Sequence, residues 1–519
     1  MTEAKKRILW VDDEIDLLRS HILFLEGRGY SVSATSSSLD AVELVREQPF
    51  DLVLLDEMMP GKDGLTILAE MKDLNPGLPV IMITKSEEEQ LMDDAIGKRI
   101  DDYLTKPVNP SQILSACKKI LDRQKIRQGQ ITQDYVTEAN EIRALLSSSL
   151  SWRDWIDIQN RLVKWDIELD RSEDRGLKQS HQDQRLECNT EFAKFVERNY
   201  AHWLNDGDRP PLSVDVMSQY VVPELTSGKS VVFIVMDSMR LDQWVAIESL
   251  LFDLFAIQRG TYYSILPTAT PYSRNAIFSG LFPAEVARIH PELWRKGSDD
   301  ERSMNRHEPE LLERHLDELG LHLHPEPKYA KILDAAQARE QAKRMVSYRE
   351  TPLTAIVFNF VDILSHGRAK SEILQEITPD ESAFRSLIRS WFLHSELFAI
   401  LKTVSQWNST VVLTSDHGAV LSIRGTTVHG DRQTSTNLRY KYGQNLRCDE
   451  KHALLIERPE EYKLPTMGVN SNFIIAKENY YFLYPTKYHQ YKRQFRGSFQ
   501  HGGISLEEMI LPVVVMRPK

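Results

Sequence analysis

Along this chain, runs of apolar residues alternate with amphipathic stretches, and several of the runs stop at a carboxylate. The clearest are Val231-Val-Phe-Ile-Val-Met-Asp237, Ile356-Val-Phe-Asn-Phe-Val-Asp362 and Val411-Val-Leu-Thr-Ser-Asp416. Runs so apolar and so rich in β-branched residues are normally covered on both faces, which predicts strands of a parallel α/β sheet. Such sheets bind ligands outside the carboxyl ends of their strands, so acids repeated there converge on one edge. Near the C-terminus, His501-Gly-Gly precedes a last strand-like run, Met509-Ile-Leu-Pro-Val-Val-Val.

From Lys6 to about Arg123 the same logic gives a five-fold βα alternation, with strands at Ile8-Leu-Trp-Val, Ser31-Val-Ser-Ala, Leu52-Val-Leu-Leu, Val80-Ile-Met-Ile and Asp102-Tyr-Leu. Between about Gln124 and Asn205 glycine nearly disappears, and Ile142, Leu145, Leu146, Trp152, Trp155, Ile156 and Gln159 recur at helical spacing. This predicts a small helical bundle broken at Arg171-Ser-Glu-Asp-Arg-Gly176, its tryptophans, Trp165 and Trp203 included, serving as packing. Pro210 and Pro211 mark the next boundary. The expected domains are therefore 1–123, 124–207 and 208–519: a flavodoxin-like α/β module, a helical middle and a larger C-terminal α/β domain.

Composition narrows the setting. A length of 519 residues exceeds one ordinary domain. Cys117, Cys188 and Cys448 form no CxxC pair, so neither a disulfide framework nor a thiolate zinc site is indicated, and a reducing cytoplasm is the simplest home. Lys5, Lys6 and Arg7 precede too short an apolar stretch for a signal peptide, and no run is long enough to span a bilayer, so no membrane insertion is expected. A net charge of -11 excludes a surface that is basic all over, while leaving room for local cationic patches.

The chemistry of the front module lies at its strand ends. Asp12 and Asp13 follow the first strand, Asp56 the third, Thr84 the fourth and Lys106-Pro107 the fifth. In this arrangement the module resembles a response-regulator receiver domain. The resemblance implies that Asp12, Asp13 and Asp56 hold Mg²⁺, that Asp56 is phosphorylated by a sensor histidine kinase, that Thr84 senses the phosphoryl group and that Lys106 pairs with it. A hard cation favours clustered carboxylate oxygens, and a phosphoryl group favours an ammonium and a hydroxyl. Tyr103 stands where receivers carry a switch aromatic, and a half-buried strand tyrosine is the alternative. Gly97-Lys-Arg-Ile-Asp-Asp departs from the usual receiver pattern in length and charge.

In the last domain, Asp237 read alone could be a helix cap and His366 a surface histidine. The pairings carry more weight. Asp362 and His366 are four apart and share a side of any helix that begins after the strand. Asp416 and His417 are adjacent at a strand end, where Gly418 permits a tight turn. The segment from about Asp208 to Lys519 resembles a PglZ-type member of the alkaline phosphatase superfamily. The motifs are Met236-Asp-Ser-Met-Arg-Leu-Asp242, Pro267-Thr-Ala-Thr-Pro-Tyr-Ser-Arg-Asn-Ala-Ile-Phe-Ser-Gly280, Asn359-Phe-Val-Asp-Ile-Leu-Ser-His366, Thr414-Ser-Asp-His-Gly418 and His501-Gly-Gly-Ile-Ser-Leu-Glu-Glu508.

That resemblance implies two metal ions, one held by Asp362, His366 and His501, the other by Asp237, Asp416, His417 and a nucleophilic hydroxyl. Thr270 is favoured as nucleophile over Thr268, because it stands just before Pro271 at an expected helix start, where proline and anions are both favoured. Threonine cannot become the formylglycine of sulfatases, so that activity is disfavoured. Arg274 either binds substrate phosphate or packs on a carboxylate. The mixed Asp and His donors suit zinc, with manganese the alternative.

Two segments, Arg424–Arg447 (with Arg432, Arg439, Tyr440 and Lys441) and Tyr480–Arg496 (with Tyr481, Tyr484, Lys487, Tyr488, Tyr491, Lys492 and Arg493), interleave cations and tyrosines. They could follow a phosphate backbone and stack on bases, or form solvated loops and a tyrosine-rich strand edge. Taken whole, the chain resembles the PorX-type response regulators of the type IX secretion system. That resemblance implies cytoplasmic signalling, homodimerisation on phosphorylation, contact with a sigma factor or secretion components, and zinc-dependent hydrolysis of linear or cyclic oligonucleotides. The alternatives are a non-catalytic regulator whose last domain binds partners, and a phosphomonoesterase. No helix-turn-helix with a basic recognition helix follows the receiver, which disfavours a DNA-binding regulator.

Overall fold

The computed structural model of the protein describes residues 5–85, 100–205, 208–294, 305–368, 370–430, 437–466, 468, 470–485 and 488–519, residues 123–127 by their backbone alone. Gly97, Arg432 and Lys487 lie outside the described residues. The chain divides into two compact units, residues 1–137 and 138–519.

The first unit holds β1 (Arg7–Val11), β2 (Ser31–Thr35), β3 (Leu52–Asp56), β4 (Val80–Thr84) and β5 (Asp102–Thr105) in the order β2-β1-β3-β4-β5, every neighbouring pair parallel. Strand residues alternate between two apolar layers, Leu9, Val11, Val53 and Leu55 in one and Ile8, Trp10, Leu52 and Leu54 in the other. Both faces of the central strands are therefore covered, which is why β3 and β4 are continuously apolar. Asn109 and Gln112 close a capping box on the helix Pro110–Leu121, fixing the turn that follows β5 and Lys106.

The middle helices of the second unit are Trp152–Asp170 and Arg175–Trp203, capped by Ser151 and Asp174, with the expected break between them. Trp155 packs edge-on to Phe192 with ring centroids 5.3 Å apart, and Trp165 and Trp203 are buried.

The remaining strands are β6 (Ser230–Met236), β7 (Phe255–Tyr263), β8 (Lys328–Ile332), β9 (Leu353–Phe358), β10 (Ser409–Thr414), β11 (Val420–Ser422), β12 (Arg424–Thr427), β13 (Tyr440–Gln444), β14 (Ala453–Ile456), β15 (Ser471–Ala476), β16 (Tyr480–Leu483), β17 (Ser498–Gln500) and β18 (Ile510–Pro518). Six form the main sheet, in the order β7-β18-β10-β6-β9-β8. Strands β10, β6, β9 and β8 are parallel, as the apolar runs predicted, but β18 runs antiparallel to both β10 and β7. A second difference concerns Asp362. Strand β9 stops at Phe358 and a helix runs from Phe360 to Arg368, so Asp362 is the third residue of a helix and not a strand end. Apolar residues stand on both sides of that junction with only Asn359 between them, and one polar residue does not distinguish a strand end from a continuing strand. Among the described residues, no helix is long and apolar enough to cross a membrane.

Candidate metal-dependent active site

Three groups of candidate ligands come together, and within each group the ligand atoms lie within 4.8 Å of one another: Asp12, Asp13 and Asp56; Asp362, His366 and His501; and Asp237, Asp416 and His417. In the first unit, Lys106 Nζ donates to Asp12 Oδ2 and Asp56 Oδ2, at 3.0 Å each. Burial, and then the neighbouring Asp12 and Asp13, push the Asp56 carboxyl up against the pull of Lys106. Burial alone would lower Lys106, yet Asp56 and Asp12 hold it above its ordinary value. Thr84 donates its hydroxyl to Glu57, a residue that sequence reasoning had not singled out. Tyr103 is 40% exposed.

In the second unit, the carboxyl ends of β6 and β10 bring Asp237 and Asp416 together. Ser238 takes φ 68°, and this left-handed turn points its N–H at Asp416 Oδ1 at 3.2 Å. Such a conformation is costly for a residue with a side chain and is concentrated at functional sites. The Asp237 carboxylate is divided in its tasks. Its Oδ2 accepts from Arg274 Nη1 at 2.7 Å and Asn359 Nδ2 at 2.6 Å, while Oδ1 faces His417 Nε2 at 3.6 Å. His417 donates Nδ1–H to the Gly418 carbonyl at 3.0 Å, which leaves Nε2 as the acceptor facing the carboxylates. Gly418 is required in that turn, because a Cβ there would collide with the Glu507 carbonyl.

Asp362 and His366 stand one turn apart on the helix Phe360–Arg368, with 3.3 Å between Oδ1 and Nε2. His501 closes the group, its Nε2 lying 3.3 Å from His366 Nε2. The His501 ring stacks on the His417 ring with centroids 4.2 Å apart, so the two donor sets adjoin.

The two threonines separate clearly. Thr268 accepts from the Gly502 N–H at 3.2 Å and donates to the Gly503 carbonyl at 2.7 Å, which holds the turn after His501. Thr270 is the first residue of the helix Thr270–Ser279, with Pro271 second, and its Oγ1 lies 2.9 Å from His417 Nε2. Of the two alternatives for Arg274, the structure shows the guanidinium packed on carboxylates, Nε on Glu308 at 2.6 Å and Nη1 on Asp237. It is buried and still lines the cleft.

The electrostatics test whether metal ions fit. Among the described residues, Asp237 Oδ1, Asp362 Oδ1, Asp416 Oδ2 and His501 Nδ1 are buried atoms with no hydrogen-bond partner. Burial and the adjacent Asp237 push Asp416 up to about 6. Burial alone would lower His417, but Asp416, Asp237 and Asp362 raise it, whereas burial and the nearby His417 drive His501 well down. Crowded, unpartnered carboxylate oxygens are costly without a counter-charge, and with a neutral imidazole beside them they are the donors divalent cations take. The residues therefore fit metal ions.

The cleft over this site has a volume of about 910 Å³, and Asn305, Arg306, Lys331, Lys370 and Asn437 line it beside Thr270 and Asp362. Sequence reasoning missed these residues and Glu308. Glu308 opens the helix Glu308–Glu318, where an acid reads as complementing the helix dipole, and only the fold brings it to Arg274. The cationic and aromatic segments divide. Arg439, Tyr440, Lys441 and Tyr481 are buried, Arg439 as an ion-pair partner of Glu508, so they form no base-stacking track. The helix Tyr488–Phe495 has no buried residue.

A sequence model of the BREX system PglZ alkaline phosphatase-like domain matches residues 216–516. The chain belongs to the PglZ family. Ahead of the PglZ domain, residues 8–118 match the response regulator receiver domain and 125–204 the PorX response regulator linker domain. The protein is thus a response regulator with a PorX-type linker and an alkaline phosphatase-like output domain. A receiver implies a partner kinase, and an alkaline phosphatase-like output domain suggests hydrolase activity.

Curated relatives match the receiver. The alginate biosynthesis transcriptional regulatory protein AlgB of Pseudomonas syringae pv. tomato is 39% identical over 121 residues, 23% of this chain and 27% of that protein. The transcriptional regulatory protein BaeR of Escherichia coli O6:H1 is 38% identical over 125 residues, 24% and 51%. The chain therefore spans only about a quarter to a half of the length of these relatives. A CheY-like receiver domain protein of Methanospirillum hungatei JF-1 is 32% identical, covering 24% of this chain and 98% of its own, with a TM-score of 0.23.

Proposed function

We propose that the PglZ domain is a two-zinc phosphodiesterase that cleaves linear or cyclic oligonucleotides through Thr270. The observation that carries this reading is the Thr270 hydroxyl at a helix N-terminus, 2.9 Å from His417, with two unsatisfied donor sets beside it and Arg306, Lys331 and Lys370 along the cleft. One zinc would be held by Asp362, His366 and His501, the other by Asp237, Asp416, His417 and Thr270. When bound, the ions supply Lewis-acid charge to the phosphoryl oxygens and lower the pKa of the attacking hydroxyl.

The chain's own groups do the rest. Arg274 and Asn359 fix the Asp237 carboxylate, and Gly418 fixes the His417 tautomer. The Thr270 hydroxyl gives its proton to solvent, Oγ attacks phosphorus in line, and the P–O bond to the departing nucleoside, or to the next nucleotide of a ring, breaks as that oxygen takes up a proton, leaving a nucleotidyl-threonine. Water then attacks phosphorus, the threonine–phosphorus bond breaks, and the hydroxyl regains its proton. The cleft cations suit a polyanion with phosphates on both sides of the scissile bond. Asn305 and Asn437 can donate to the same oxygens.

In this reading the protein works in the cytoplasm. A histidine kinase phosphorylates Asp56 in the Mg²⁺ site of Asp12, Asp13 and Asp56, Thr84, Tyr103 and Lys106 relay the change, and the protein dimerises and signals through a sigma factor or secretion components to type IX secretion. The test is hydrolysis of short linear and cyclic oligonucleotides by zinc-loaded protein against Thr270→Ala at equal zinc content. Activity lost in the variant supports the proposal. Cleavage of phosphomonoesters alone makes the enzyme a phosphomonoesterase, and no cleavage of any ester makes the domain a binding module.

A further inference from the structure

A second cavity, of about 470 Å³, opens beside the catalytic cleft and shares Leu333 and Ile363 with it. Ile363 follows Asp362 directly, and Phe360, on the cavity's wall, opens the same helix, so two ligands of one donor set and part of this cavity's wall stand on a single helix. The Phe360 ring lies flat on that of Trp391, with centroids 3.8 Å apart and planes within 4°. Trp391 comes from the helix Glu381–Leu393, and Leu397 adds a further apolar wall. Where the two cavities meet, Leu333 and Ile363 are each 46% exposed. Two large aliphatic side chains left in water at the mouth of a cationic cleft do nothing for folding, but they are what an apolar ligand surface covers. The lining also carries polar groups, Arg339 and Glu396 among them.

We infer that this cavity is a nucleobase subsite, which takes the planar ring of the nucleotide whose phosphate lies against Thr270. The inference rests on the phosphodiesterase reading of the cleft and goes further by naming what lies beside the phosphate. A base has two apolar faces and a polar edge. The Phe360–Trp391 wall and the aliphatic mouth match the faces, and Arg339 and Glu396 supply a donor and an acceptor for the edge. A simple phosphate or a bare sugar-phosphate would leave these apolar walls uncovered.

The test compares binding of adenosine 5′-monophosphate and ribose 5-phosphate to the zinc-loaded full-length protein by calorimetry, alongside turnover of adenylyl-adenosine and of an abasic diester with the same backbone. The parent is expected to bind the nucleotide at least about tenfold tighter than the sugar phosphate. Trp391→Ala is expected to cut that preference about 5- to 150-fold, the range for removing one stacking partner, and to raise KM for the dinucleotide over the abasic diester by a similar factor. Leu333→Asp, at the exposed mouth, gives the same comparison without disturbing the stack if Trp391→Ala fails to fold. Equal affinity of the parent for the two ligands, or an equal loss for both in the variants, overturns the subsite. Failure of the underlying reading looks different. A base preference that depends on Trp391 without cleavage of any diester keeps the subsite and removes the phosphodiesterase, whereas cleavage without base preference does the reverse.

Discussion

Replacing Arg385 with leucine removes the centre of a buried ionic cluster that joins the middle helices to the PglZ sheet. Arg385 donates Nη1 to Asp242 Oδ2 at 2.8 Å, and Nε and Nη2 to the Asp170 carboxylate at 2.9 and 2.6 Å. Arg240 Nε reaches Asp242 at 2.8 Å, while Arg185 reaches Asp166 and Glu381 at 3.1 Å each and also Glu507. Three guanidiniums thus serve five carboxylates, and removing Arg385 takes one of two arginine partners from the buried Asp242 and both bonds from the partly exposed Asp170. The expected loss is about 3–5 kcal/mol of unfolding free energy, because the penalty is that of the abandoned partners. Adding Asp242→Asn should recover about 1–3 kcal/mol of it, the coupling of contacting residues.

Acid sharpens the same test. Burial alone would raise Asp242, but Arg240 and then Arg385 hold it at about 2, and the arginines likewise keep Asp166 and Glu381 below their ordinary values. A carboxyl depressed in the folded state binds fewer protons there than when unfolded. Its stabilisation is therefore complete above the unfolded pKa near 4, and it is lost as pH falls through the folded value. For Asp242 that is on the order of 2 kcal/mol, lost between about pH 4 and 2. Urea titrations followed by tryptophan fluorescence at pH 7, 5, 4 and 3 should show the parent weakening more steeply with acid than Arg385→Leu. A loss below about 1 kcal/mol, the value of an exposed pair, would refute the reasoning, as would parallel pH profiles.

Stripping metal with a chelator at neutral pH should lower the melting temperature of the PglZ domain, because Arg274 then only partly offsets the two carboxylates, and Asp237 Oδ1 and Asp416 Oδ2 have no hydrogen-bond partner among the described residues; zinc restored at 100 times its Kd should return about 2.7 kcal/mol, read by thermal unfolding. Gly418→Ala, which drives a Cβ into the Glu507 carbonyl, is expected to cost about 1–3 kcal/mol by calorimetry and to lower zinc content by displacing His417. Thr268→Val keeps shape but loses the hydrogen bonds to Gly502 and Gly503, for about 1–3 kcal/mol; unlike Thr270→Ala it should still trap a nucleotidyl-threonine on acid quench.

Much of this arrangement is legible in the sequence, for reasons that differ by residue. Strands β6 and β10 declare themselves because both faces are covered, so Val231–Val235 and Val411–Leu413 are unbroken apolar runs with an acid just beyond. The end of β9 is hidden because Asn359 is the sole interruption of its apolar run, and Phe360 and Val361 are as apolar in a helix as in a strand, so Asp362 is displaced accordingly. The direction of β18 has no local signature, because antiparallel and parallel strands buried on both faces look alike. Glu308, Lys331 and Trp391 are unremarkable where they stand in the chain and gain meaning only from what the fold brings to them. The tyrosines and cations of 424–447 misled for the converse reason. Composition reports side-chain chemistry, not which face of a small sheet is turned inward, and Arg439 spends its charge on Glu508.

The buried cluster also bears on how the receiver could influence the PglZ domain. Arg185 and Asn189, on the helix Arg175–Trp203, both bind Glu507, whose carbonyl crowds Gly418 beside His417. Arg240, three residues past Asp237, binds Glu381, which Arg185 also holds. Lifting these linker helices from the PglZ sheet would expose several paired charges at once, each abandoned partner costing several kcal/mol. That exceeds what one phosphoryl group supplies through a few charge-assisted hydrogen bonds. The middle helices from residue 138 onward are therefore energetically part of the PglZ body, so in the proposed scheme phosphorylation of the receiver would act through the arrangement of whole units or of two copies of the chain.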